Sequence, residues 1–213
     1  MVGMSWCANT KGRQWSRVKN LLLAAFIFQS LLSLAYSEEE INEWEIADLH
    51  TKRLSPTAFA GLPDDLVMEL QARGCTIPQV FDNPTPHNII HGEFLRMGQT
   101  DWAALCSKGR ISSILIFWDG SPDKVSEIAS EPDKRWLQGI GDGQTGFSRE
   151  IRAIGKKEIM DYHRLCLDFF YEYIDCPEPP QVDHQGIEDI FVNKASGILY
   201  FYDGKWLQLS GAD

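Results

Sequence analysis

Hydrophobic positions along the chain repeat with two different periods, and the periods divide it into helices and strands. Leu62, Leu66 and Leu70 recur every four residues, the spacing of one helical face, which predicts a helix from Pro63 to Arg73. Pro63 suits its first position, Asp64 and Asp65 suit the positive end of its dipole, and Arg73-Gly74 suits its stop. Asn88 to Phe94, Asp101 to Cys106 and Ile111 to Trp118 are short runs rich in β-branched and aromatic residues, and read as strands. Asp119-Gly120 turns the chain, and Ser121 to Lys124 is expected to cap a short helix toward Ile128. Gly139 to Gly146 reads as a flexible surface loop and Phe147 to Ile154 as a strand.

A second helical period runs from Lys156 to Tyr173, where Ile159, Tyr162, Cys166, Phe169 and Tyr173 recur at spacings of three and four. The proline-rich stretch from Cys176 to Val182 reads as a semi-rigid linker. The chain closes with Gly197 to Tyr202, an Asp203-Gly204 turn and Lys205 to Leu209, a hairpin whose two-residue turn sets Phe201 opposite Trp206 and Tyr200 opposite Leu207. Hairpin-connected strands outnumber alternating strand and helix units. The expected fold class is therefore α+β: a mainly antiparallel sheet built from 88–94, 101–106, 111–118 and 197–209, with two principal helices, 63–73 and 156–173, on one face.

The first 37 residues break this pattern. Lys11, Arg13, Arg17 and Lys19 precede an apolar run from Leu21 to Leu34, with no carboxylate among them, and Ala35-Tyr36-Ser37 follows with small residues placed for a signal peptidase. At 14 residues the run is short for a bilayer span, which takes about 20 residues. Residues 1–37 are thus expected to be a signal peptide cleaved after Ser37, and an uncleaved anchor is the alternative. Residues 38–58 read as an acidic, poorly ordered arm, and 59–213 as a single α+β domain.

Removing that segment takes away four cations, so the net charge moves from −10 to −14. Nucleic acid and anionic lipid both need an excess of Lys and Arg, so neither is expected as a partner. Export also changes how the four remaining cysteines read, because an even number in an oxidising compartment favours disulfides. Cys75 follows a helix stop and Cys106 ends a strand, so the two lie at element ends where backbones approach. Cys166 with Cys176 is left by elimination, and requires the chain to double back about 10 Å in three residues. Two buried free thiols are the equal alternative there.

Two regions echo one another: Gly98 and Asp101 lead to Phe117-Trp118-Asp119-Gly120, and Gly186 and Asp189 lead to Phe201-Tyr202-Asp203-Gly204. The first, from Gly92-Glu93-Phe94 through Gly98 and Asp101 to Ala103, resembles the hairpin of FG-GAP and VCBS repeats of secreted β-propeller proteins. That resemblance implies a calcium site held by acids between Phe and Gly, but Leu95, Arg96 and Met97 stand there and the site is not carried over. The chain is also too short for a ring of blades. As a whole it resembles exported bacterial proteins of unknown function, a likeness that brings no activity with it.

Gly141-Asp-Gly143-Gln-Thr-Gly146 matches the dinucleotide fingerprint in letters, yet a strand rather than a helix is expected after it, so no cofactor is assigned. His87 and His91 would be about 13 Å apart on a strand, too far for one metal. His184, Glu188 and Asp189, with Asp183, gather acids near one histidine, and could bind a hard cation or supply a general base; a solvated turn is the expected setting. His163 lies one turn from Cys166, on a face expected to be core. No catalytic, cofactor-binding or metal residue is assigned. The tyrosines and tryptophans of the hairpins, Trp102, Trp118 and Trp206 among them, point to a secreted or periplasmic binding module for a protein or glycan, without membrane insertion after signal cleavage. A secreted hydrolase using acids near His184, Glu188 and Asp189 is the alternative.

Overall fold

Two four-stranded sheets face one another across the main hydrophobic core, in a computed structural model that describes residues 42–170 and 182–210. Helix α1 (Glu43–His50) leads into the short strand β1 (Arg53–Leu54), helix α2 (Asp64–Arg73) and β2 (Ile77–Pro78), which pairs with β1. The first sheet follows in hairpin order: β3 (Ile89–Gly92), β4 (Asp101–Lys108), β5 (Ile111–Phe117) and β6 (Val125–Pro132). A separate hairpin, β7 (Leu137–Gly141) with β8 (Gln144–Phe147), links it to β9 (Arg149–Ile154) and helix α3 (Lys156–Phe170). Strands β10 (Gly186–Phe191), β11 (Ala195–Tyr202) and β12 (Lys205–Ser210) join β9 in the second sheet, ordered β12-β11-β10-β9. Every pairing among the described strands is antiparallel, so the expected mixed, mostly antiparallel class holds.

Alternation along each strand decides the layers. Ala103, Leu105, Ile114 and Ile116 of the first sheet point inward and meet Ile151, Ile187 and Leu199 of the second. Their neighbours Ala104, Cys106, Leu115 and Phe117 point outward and are covered by Leu62, Leu66 and Leu70 of the α2 region. On the second sheet, Ile154, Ile198 and Tyr200 point outward and pack with Ile159 and Tyr162 of α3. The two helices therefore lie on different sheets. The expectation of one sheet with both helices on one face is corrected: the hairpin 195–210 joins a separate sheet and not the strands around 88–118, because the strand at 186–191 pairs with β11 on one side and with β9 on the other.

Other differences have local causes. Ser121 to Lys124 forms a turn, not a helix cap: Lys124 N–H donates to Ser121 O and Trp118 N–H to Lys124 O, closing the β5–β6 connection. The residues beyond it pair with β5, Phe117 opposite Val125 and Ile114 opposite Ile128. The segment 139–146 is a hairpin rather than a flexible loop, since Asp142 and Gly143 both take positive φ, 50° and 70°, the requirement of a two-residue turn. Residues 42–58 are bonded into the fold and do not form a loose arm: Arg53 joins buried Asp48 (2.5 Å) to buried Asp133 (2.7 Å), and Arg110 reaches Glu45 (2.5 Å).

Cys75 and Cys106 are bonded, with their Cα atoms 5.0 Å apart, and the bridge ties the end of α2 to β4. The closing hairpin has the expected register, Phe201 opposite Trp206 and Tyr200 opposite Leu207. The expected pairing of Cys166 with Cys176, the His163–Cys166 proximity and the end of the long helix at Tyr173 lie outside the described residues and side chains.

Candidate functional site

One buried cation organises the centre of the molecule. Arg149 is fully buried on the inner face of β9, and all five of its N–H groups are used. Two form a fork on Asp189 (2.9 and 2.8 Å), two reach Ser112 O and Oγ (3.0 and 3.1 Å), and one reaches Ala129 O (2.7 Å). Trp136 covers the guanidinium at 4.4 Å. The register of β5 with β6 slips just past Ser112, and Ala129 takes φ 52°, so a bulge in the edge strand turns a carbonyl onto Arg149.

That network separates the three residues expected to cluster. Asp189 points into the sandwich toward Arg149, whereas Glu188, its neighbour on β10, points to the outer face. There Glu188 is buried and accepts from Arg152 Nε and from Ser196 Oγ (2.7 Å). The Glu188 hydrogen bond raises the Arg152 guanidinium above its ordinary value, against the opposing effect of burial. His184 is 7% exposed and its Nδ1 lies 2.8 Å from Gln185 O, an acceptor, so Nδ1 carries the proton. In place of the expected solvated turn stands a bend with buried His184, followed by strand β10 with buried Glu188. Glu188 and Asp189 face opposite sides of a sheet and form no joint acid–base centre.

The remaining candidates are held by local bonds. His87 Nδ1 faces Thr85 O (2.9 Å) while its Nε2 accepts from Val80 N–H (2.9 Å), which describes a neutral ring acting as a loop brace. His91 is exposed and lies against Trp102, ring centres 5.0 Å apart. Asp101, within the stretch that resembles the FG-GAP hairpin, is fully buried and accepts from Phe94 N, Leu95 N, Gln99 Nε2 and Asp119 N at 2.6–3.0 Å. It staples loop 94–99 to turn 118–120. Its counterpart in the echo, Asp189, pairs with an arginine instead, so the two copies share letters and not a role. Among the described residues no group of three or more His, Cys, Asp or Glu could hold a metal, and no helix is long and apolar enough to cross a membrane.

Trp118, Phe201 and Trp206 gather at one end of the inner faces, with Trp118 stacked on Trp206 at 5.8 Å and tilted against Phe201 at 5.2 Å. Trp118 Nε1 donates to Ser126 Oγ (2.8 Å), while Trp206 Nε1 is buried without a partner. All three are half-buried, and Trp118 and Trp206 pack against the main core.

Concavities also form among the described residues, and two of them bear on function. One, of about 320 Å³, lies beside the disulfide between Arg73, Lys108 and Glu127. The larger, about 470 Å³, opens between the end of α1, residues 79–84 and the β7–β8 hairpin. Val80, Phe81, Ile140 and Phe147 supply its apolar surface, and His50, Thr51, Lys52, Gln79, Asp82 and Thr145 its polar groups. Its walls are held in place before any ligand arrives. Gln79 Nε2 donates to the carbonyls of Ile77, Pro78 and His87, and its Oε1 accepts from His87 N–H, all at 3.0–3.1 Å. Asn88 then locks this loop to β9, donating to Pro78 O and Arg149 O and accepting from Ile151 N–H. Gly146 gives Phe81 room to cross the hairpin: a Cβ there would stand 2.5 Å from that of Phe81.

None of these cleft residues is prominent in the sequence, because they come from three separated segments. The Asp142-Gly143 dipeptide was the available signal for the hairpin. Compared with models of protein families, with curated proteins and with solved structures, the chain matches none.

Proposed function

We propose that the protein is an exported, disulfide-stapled binding module whose ligand occupies the cleft between α1, residues 79–84 and the β7–β8 hairpin. The observation that carries the reading is the cleft, whose volume of about 470 Å³ falls within the range of small-ligand and peptide-side-chain sites. Its walls are already ordered by the Gln79, His87 and Asn88 hydrogen bonds, which lowers the cost of ordering on binding. Export is supported by the basic and then apolar segment 1–37, and by the Cys75–Cys106 bridge, a bond typical of oxidising compartments. Cleavage after Ser37 would leave an acidic chain in the periplasm or outside the cell.

The test is a thermal-shift measurement on the full chain with its disulfide intact, against fractions of the native host's envelope. A ligand bound only by the folded state raises Tm in proportion to the logarithm of its concentration over Kd. The expected result is a fraction that shifts the wild type and leaves Lys52→Trp unshifted, since that exposed side chain lies at the cleft and only its backbone bonds Gln79. Equal shifts in both proteins, or none in the wild type, would refute the reading.

A further inference from the structure

We propose that the cleft receives an extended polypeptide segment, which adds as a strand to the free edge of β8 at Thr145; the inference rests on the binding-module reading and names its ligand class. In a strand the N–H and C=O of one residue point to the same side, and successive residues alternate. Ser148 N–H donates to Trp136 O on the β7 side, and Phe147 O accepts from Phe81 N–H (2.9 Å) on the other. Ser148 O leaves the ladder for Val192 N–H, but within β8 Gly146, opposite Gln138, aims at β7, while 145 and 147 aim away from it. Phe81 makes the first rung on that outer side.

No second rung follows. After Phe81 the chain turns, with Asn83 N–H donating back to Val80 O, and although α1 packs nearby, no hydrogen bond from outside the β7–β8 hairpin reaches the N–H or C=O of Thr145 among the described residues. Its N–H and C=O face the cleft as a donor–acceptor pair spaced for one peptide unit, continuous with a rung that the fold has already built. A peptide laid there would alternate its side chains between the apolar surface of Phe81 and Ile140 and the rim that carries His50 and Lys52. Lys52 has no ion pair among the described residues, and Asp82 stands apart from it without one. The geometry thus suits an extended segment with an acidic residue next to an apolar one.

The experiment probes an array of seven-residue peptides of varied acidic and apolar content with the full, disulfide-bonded chain, and measures the affinity of one selected peptide by fluorescence polarisation. Thr145→Pro removes the outward N–H without touching the β7 ladder, a position where an edge strand tolerates proline. The expected result is at least a tenfold loss of affinity in Thr145→Pro, less than a threefold change in Thr145→Val, and loss in Lys52→Trp. A peptide N-methylated at its central amide, tested on the unaltered protein, should lose affinity to the same extent, which keeps the test decisive if Thr145→Pro folds poorly. Binding that survives both Thr145→Pro and peptide N-methylation but fails in Lys52→Trp would overturn strand addition and leave the cleft standing as a site for another ligand. Binding indifferent to all three changes would overturn both readings. An array without any bound peptide would refute strand addition, as would a dimer of the wild type dispersed by Thr145→Pro, which would assign this edge to a second copy of the chain.

Discussion

Replacing Asp189 by alanine should unfold this protein far more readily than the same change at its neighbour Glu188. The guanidinium of Arg149 is fully enclosed, and Asp189, with 11% of its side chain exposed, is the anion that balances it through two hydrogen bonds. In Asp189→Ala the cation keeps Ser112 and Ala129 as acceptors but loses its counter-charge, and stranding one partner of a buried pair costs about 3–5 kcal/mol. Glu188 differs in what its loss leaves behind. Arg152 is 53% exposed and turns to water, so Glu188→Ala forfeits the hydrogen bonds from Arg152 and Ser196 without stranding a buried charge and costs about 1–2 kcal/mol. Domains of this size are stable by about 5–15 kcal/mol, so the first change removes a third or more of the total in many of them. Urea titration of the two variants, with the disulfide intact and the m-value monitored, measures the difference. If Asp189→Ala shifts the midpoint no further than Glu188→Ala, the account of Arg149 as a charge-balanced keystone is wrong. A double variant, Arg149→Met with Asp189→Leu, should recover most of the loss, because it removes both charges together.

Within the glycine-rich hairpin, Gly146→Ala should cost about 1–3 kcal/mol by forcing Phe81 aside, while Gly139→Ala, with open space at its Cβ, should be nearly neutral; equal melting temperatures would refute the crossing of Phe81. Burial pushes the Tyr200 phenol above the ordinary tyrosine value, so its contribution to stability is fully present below about pH 10 and is lost as pH rises through the folded value. Absorbance titration at 295 nm should accordingly find one tyrosine ionising late, together with alkaline unfolding, and a Tyr200→Phe variant should lack that late ionisation. Reducing Cys75–Cys106, which spans 31 residues, should lower stability by roughly 3–4 kcal/mol in the chain-entropy model, and an unchanged urea midpoint after reduction would contradict it.

The legible elements were those whose signal is local. The α2 helix carries its own stop at Gly74, in a left-handed conformation, and its own four-residue stripe. The β11–β12 hairpin carries Asp203-Gly204, both at positive φ, and the strand pair forms in the register that this turn requires. The β7–β8 hairpin carried a turn of the same kind at Asp142-Gly143, but three further glycines in the segment argued for a loop, and tertiary contact with Phe81 turned one of them into a packing requirement. The Ser121 to Lys124 stretch has the chemistry of either a cap or a turn, and pairing with β5 decided between them.

Other features had no local signal at all. An arginine in a strand reads as a surface residue, and the burial of Arg149 depends on Ser112, Ala129 and Asp189, which are 37, 20 and 40 residues away. Residues 42–58 look solvated because the partners that dock them, Asp133 and Arg110, are 80 and 65 residues from Arg53 and Glu45. Sequence alone determined where the chain can bend, which stripes are apolar, how the closing strands pair, and which cysteines end elements that meet. Tertiary structure alone decided that the strands divide into two sheets, that neighbouring acids face opposite sides, and that three ordinary segments enclose a cleft. The physical reason is that turns and periodicities are energies of adjacent residues, whereas burial, charge balance and concavity are energies of residues brought together only when the chain has folded.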